Sequence, residues 1–183
     1  MPEPLHLLLD RLDTPIGDML IVTDNEGNLR AIDWAEYEAR MRGLLRRQYG
    51  ANGFHLEEKR APQDIRRALE RYFAGDVTAI DGLPVKTAGT PFQRKVWSAL
   101  QEIPCGTTVS YAALAERIGQ PTAVRAVGLA NGSNPVGVVV PCHRVIGSNG
   151  SLTGYGGGIH RKSWLLKHES AAGGNDLQRE TLF

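Results

Sequence analysis

Residues 81–90, DGLPVKTAGT, have no hydrophobic period and are interrupted by glycine, proline and threonine. The patterns on either side differ in kind. The chain is therefore expected to form two units meeting near residue 88 rather than one continuous layer. Upstream, apolar segments at 5–9, 19–22 and 29–34 are separated by the turn signals Thr14-Pro15-Ile16-Gly17 and Asp24-Asn25-Glu26-Gly27-Asn28. This predicts a three-stranded antiparallel meander. Met41, Leu44, Leu45 and Gln48 then recur at helical spacing within 36–49. After a polar stretch, Pro62 opens a second helix through Ile65, Leu69, Tyr72 and Phe73, closed by Gly75.

Downstream, 91–100 reads as a helix capped by Thr90, with Phe92, Val96, Trp97 and Leu100 inward. A short helix over 111–118, a turn at Gly119-Gln120 and a helix from about Pro121 through Ala130 have helix-turn-helix spacing. Val136 to Val140 predicts a short buried strand or extended segment, stopped by Pro141. A last helix covers 160–169, and 171–183 is expected to be a disordered tail. The expected fold is α/β, of the α+β kind. An α/β domain with an antiparallel sheet spans 1–88, and a mainly helical, winged helix-turn-helix-like domain spans 89–170.

Charge sharpens the division. Residues 1–90 hold 12 Lys/Arg against 15 Asp/Glu, whereas 91–170 hold eight against three. A basic second half suits a polyanionic partner such as nucleic acid. No apolar run approaches the roughly 20 residues a membrane helix needs. No basic leader precedes the first strand, which predicts a cytoplasmic protein.

The two cysteines, Cys105 and Cys142, match no paired-cysteine metal pattern. Each is either a small buried hydrophobe or a nucleophile. Cys142 lies within the most hydrophobic window, NPVGVVVPCHRVIG (134–147), after its valines and directly before His143 and Arg144. A base and a positive charge would raise its thiolate fraction. Adjacent residues on a strand face opposite ways, so the arrangement requires the chain to turn at Cys142, or a bridging water. A cysteine phosphatase would need arginine where Ser148 stands. A papain-like protease would need its histidine far downstream. The second helix of the helix-turn-helix carries Ala123, Val124, Ala126, Val127, Gly128 and Ala130, with Arg125 as its one long charged side chain. It suits either tight packing on a protein neighbour or close approach to a nucleic acid, with a planar guanidinium filling the place of an extruded base. A thiol beside such a helix suggests attack on an alkyl group of a flipped base.

The motif PCHRVIG (141–147), preceded by RAVGLANGSNP (125–135) and followed by TGYGGG (153–158) and RKSWLLKHE (161–169), resembles the O6-alkylguanine-DNA alkyltransferases in their stand-alone bacterial form. The likeness covers roughly residues 8–169. It implies a ribonuclease-H-like roll for the first domain. It implies a protein that flips an alkylated guanine from duplex DNA and takes the alkyl group irreversibly onto Cys142, with O4-alkylthymine as a further candidate substrate. His143 would deprotonate Cys142 through a water, with Glu169 behind it. Tyr111 would protonate guanine N3, and Asn134 would hold the recognition helix against the active-site strand. Arg125 would fill the vacated stack, with Ala123, Gly128, Tyr111 and Ser148 also on DNA. Val145, Tyr155, Gly156 and Asn131 would line the base and alkyl pocket, and the backbone at Cys142 and Val145 would accept from the guanine amino group. No cofactor and no metal are implied, the first domain having no cysteine and only His6 and His55. Cys105 is expected to be structural. The expected state is a monomer, with cooperative binding on DNA left open. Two rivals are an alkyltransferase-like protein that binds lesions without transfer, which would lack the acceptor cysteine, and a helix-turn-helix regulator, which would be a dimer.

Overall fold

The computed structural model describes residues 2–173. These divide into two compact units, one of 2–74, 78–89 and 135–139, the other of 75–77, 90–134 and 140–173.

The first unit is built on a sheet. β1 (Leu5–Thr14), β2 (Gly17–Asp24) and β3 (Leu29–Trp34) form the antiparallel meander. Its second turn is tied by Asp24, whose side chain accepts from the backbone N–H groups of Glu26 and Asn28, both at 2.9 Å. Gly27 takes φ +84° there, where a Cβ would be strained. A 3-10 turn, Ala35–Tyr37, leads into α1 (Glu38–Tyr49). Met41 and Leu45 of α1 pack with Leu7, Leu9, Leu20, Val22 and Ala31.

The sheet then departs from the sequence expectation. The polar stretch after α1 contains β4 (Phe54–Glu58), which pairs parallel to β1 in the order β3-β2-β1-β4. The sheet is therefore mixed, not wholly antiparallel. β4 is a short edge strand with no fully buried side chain; only Phe54 and Leu56 face the core, and two half-buried residues in a polar stretch are too brief an alternation to stand out. α2 (Gln63–Phe73) follows, burying Ile65, Ala68, Leu69 and Tyr72. The segment expected as a plain linker is pinned to β3: Leu29 N donates to Pro84 O at 2.8 Å and Lys86 N to Leu29 O at 3.0 Å. The predicted strand over 136–140 is also corrected. Only Val136 makes a bridge, parallel to Ile32, and the rest runs through turns. Val138 has φ +68°, unusual for a β-branched residue. Its composition is that of a strand because Val136, Val138 and Val140 are all buried.

The second unit begins with α3 (Pro91–Gln101), closed at its start by a capping box between Thr90 and Gln93. β5 (Val109–Ser110) precedes α4 (Tyr111–Arg117), whose N-cap Ser110 accepts from Ala113 N at 3.0 Å. Gly119, at φ +77°, makes the turn, and α5 (Val124–Gly132) begins later than Pro121. The Trp97 indole N–H donates to Ala130 O at 2.8 Å, fixing α5 on α3. A 3-10 turn, Cys142–Arg144, leads to β6 (Val145–Ile146), parallel to β5. α6 (Ile159–Gly173) ends the described chain. It continues through 171–173, which were expected to belong to the tail; the rest of that tail lies outside the described residues. Among the described residues no helix is long and apolar enough to cross a membrane.

Candidate active site

The chain does turn at Cys142. In a 3-10 turn successive side chains are about 120° apart rather than opposed. His143 and Arg144 can therefore reach one carboxylate, that of Glu169 on α6. His143 Nε2 lies 2.9 Å from Glu169 Oε2. Arg144 Nε donates to Oε1 and Nη2 to Oε2, both at 2.9 Å, and Nη1 donates to Ile103 O at 2.7 Å. All three side chains are buried.

The charge states follow from this packing. Burial pushes Glu169 up, but His143 and the Arg144 guanidinium outweigh it and hold the carboxyl well below the usual carboxylate range. Burial pushes His143 down, reinforced by Arg144 and Lys162 and only partly opposed by Glu169. At neutral pH the pair is a carboxylate and a neutral imidazole. An ionised carboxylate can only accept, so Nε2 carries the ring proton and donates. Nδ1 is left with its lone pair, and among the described residues it has no hydrogen-bond partner. An oriented neutral imidazole with one open nitrogen is the arrangement of a general base.

Cys142 itself is 8% exposed, and its N–H donates to Val140 O at 2.8 Å. Lys162 on α6 was not singled out from the sequence. It is fully buried, donating from Nζ to Val145 O at 2.6 Å and Thr153 O at 3.1 Å. Burial lowers its pKa to about 8, against a raising effect of the Cys142 charge. A signal for it existed. Lys162 and Glu169 stand seven residues apart, on the same face as buried Leu165 and Leu166. Two charges on the core face of a helix need a partner there.

Tyr111 is the first residue of α4 and is half-buried, its hydroxyl donating to Thr153 O at 3.1 Å. Burial, then the Cys142 charge, raises its pKa, so it stays protonated. Asn134 Nδ2 donates to Val140 O at 2.8 Å, bracing the chain after α5 against the residue two before the cysteine. Buried Asn131 reaches Cys142 O with Nδ2 at 3.4 Å, while its Oδ1 has no partner among the described residues. Val145 is buried in β6, and its carbonyl, expected to face a substrate amino group, already accepts from Lys162. Its N–H donates to Cys142 O.

The remaining predicted residues stand on α5 and in the loops on either side of Gly150. Ala123 is the N-cap of α5, with Arg125 exposed and Gly128 half-buried on that helix. A Cβ on Gly128 would sit 3.9 Å from Tyr111 Cδ1, in ordinary van der Waals contact with the ring. Ser148 is exposed at the turn after β6. Tyr155 is half-buried and Gly156 exposed in the loop before α6. Cys105 is half-buried, with Sγ 3.7 Å from Val77 O. Among the described residues no group of three or more His, Cys, Asp or Glu could hold a metal.

Comparison with known proteins bears on both units. Residues 8–87 match the family model "6-O-methylguanine DNA methyltransferase, ribonuclease-like domain", and 91–171 match its "DNA binding domain". The chain is 50% identical over 165 residues to the methylated-DNA–protein-cysteine methyltransferase of Shigella flexneri, covering 90% of this chain and 96% of that one. It is 42% identical over 159 residues to the protein of the same name from Methanosarcina acetivorans, covering 87% and 96%. Among solved structures, Mycobacterium tuberculosis OGT in complex with DNA matches with a TM-score of 0.76 at 39% identity, covering 95% of this chain and 98% of that one. With both domain models matched in order and relatives alike over nearly their whole length, the chain belongs to the 6-O-methylguanine DNA methyltransferase family.

Proposed function

We propose that this protein repairs duplex DNA by taking the alkyl group of O6-alkylguanine onto Cys142, once per molecule. The observation that carries the reading is the neutral His143, oriented by Glu169, on the residue following the thiol. His143 Nδ1 accepts the Cys142 proton through a water. The thiolate, favoured by buried Lys162, attacks the alkyl carbon. A sulfur–carbon bond forms as the bond from that carbon to guanine O6 breaks. Tyr111 delivers a proton to guanine N3, because an anionic purine is costly to leave in a desolvated pocket. The thioether is stable, so no step regenerates the thiol.

Arg125, exposed among small residues in the first turn of α5, fills the space of the extruded base. Ala123, Gly128 and Ser148 lie against the backbone. Asn131, Val145, Tyr155 and Gly156 line the pocket, and Asn134 acts as a positioning residue. As domains along the sequence, 1–88 form the ribonuclease-like part and 89–170 the part that binds DNA and accepts the alkyl group. The protein acts as a cytoplasmic monomer on double-stranded DNA. The acceptor thiol sets aside lesion binding without transfer.

Intact-mass measurement after incubation with duplex containing O6-methylguanine should show the gain of one methyl group, mapped to Cys142. A Cys142→Ala variant that still gained it would end this reading.

A further inference from the structure

Among the described residues three large hydrophobic side chains are exposed: Val124 at 36%, Ile159 at 45% and Leu129 at 72%. Two of them sit on α5, a helix of nine residues. A single exposed leucine is ordinary on a protein surface. Its register here is more specific. Arg125, Gly128, Leu129 and Gly132 fall at i, i+3, i+4 and i+7, one stripe of the helix. Val127, Ala130 and Asn131 face inward instead. A Cβ on Gly128 would come only into ordinary contact with the Tyr111 ring, at 3.9 Å, and one on Gly132 would meet nothing within 4 Å. Leu129 thus projects from a low glycine surface, one turn beyond Arg125.

We infer that Leu129 is a positioning residue for duplex DNA: its side chain seats in the minor groove one helical turn from Arg125 and helps hold the duplex open for base extrusion. This rests on the function proposed above. The minor-groove walls are deoxyribose C–H edges, and proteins that bend or open DNA place aliphatic side chains there. A duplex fits this stripe better than an apolar protein surface does, because its other members are a cation and two glycines. The unit around it is basic, with eight Lys/Arg against three Asp/Glu over residues 91–170. An aliphatic contact releases no counterions, so it differs from a phosphate contact in a measurable way.

The test compares Leu129→Ala, Leu129→Met and Arg125→Ala with the unaltered protein. Affinity for an unmodified duplex long enough for one molecule is measured by fluorescence anisotropy over a range of salt. Alkyl transfer is followed from methylated duplex and from free O6-benzylguanine. Leu129→Ala should weaken duplex binding roughly ten-fold at every salt concentration, with the slope of log affinity against log salt unchanged. Its reaction with the free base should match that of the unaltered protein, which also reports correct folding. Leu129→Met should restore most of the affinity. Arg125→Ala should instead flatten the salt slope. Duplex affinity of Leu129→Ala within two-fold of the unaltered protein would overturn the inference. So would a change confined to self-association in sedimentation, which would assign the leucine to a second copy of the chain. Failure of the unaltered protein to take up methyl from duplex would count against the proposed function, not against Leu129.

Discussion

Glu169→Gln is the sharpest perturbation of the buried cluster. The carboxylate accepts from His143 and twice from Arg144, all at 2.9 Å. Glutamine keeps the shape but loses the charge and replaces one acceptor oxygen with an NH2 group. At least one buried donor must then face another donor, and the buried Arg144 cation is left uncompensated. Removing one partner of a buried ion pair costs about 3–5 kcal/mol. For a chain of 183 residues, each kcal/mol shifts Tm by roughly 2–4 °C, so the melting point should fall by about 6–20 °C. Thermal unfolding followed by circular dichroism, with urea titration for the free energy, reads this directly. A second arm adds Arg144→Met. Removing the cation as well should return part of the loss. Recovery should be incomplete, because Ile103 O also loses its donor at 2.7 Å. A single variant that loses less than about 1 kcal/mol, or a double variant no more stable than the single, would refute the claim that the pair compensates buried charge.

Lys162→Met should shift the pH profile of alkyl transfer upward by about one unit, slowing the reaction roughly ten-fold at pH 7 and much less at pH 9; an equal loss at every pH would mean that Lys162 only supports the loop carbonyls of Val145 and Thr153. Stability should fall as pH drops from about 6.5 toward the lowered pKa of folded His143, because in that window the unfolded chain takes up a proton that the folded site refuses. His143→Gln should flatten that part of a urea-midpoint profile, and an unchanged slope would show that another group titrates there. Glu169 has the same sign but a lower window: its stabilisation is complete above the unfolded carboxylate value of about 4.3 and is lost only below the ordinary range.

The sequence by itself determined what depends on neighbours in the chain. Period-two alternation and turn residues specified the meander, and the 3.6 period with Thr90 and Gly119 specified the helices of the second unit. Cys142 stood out because few residue types can act as nucleophiles and it lies beside a base. The sequence did not reveal β4, since an edge strand that turns only Phe54 and Leu56 to the core leaves too short an apolar rhythm. It made 136–140 resemble a strand because burial, not extension, selects the valines there. Only the tertiary structure decided which charges meet. Glu169 is 26 residues from His143, and their bond, like the burial of Lys162 beneath Val145 O, exists because α6 packs against the turn at Cys142–Arg144. Burial is what fixes these protonation states, and it is a property of the packed molecule that no local pattern records.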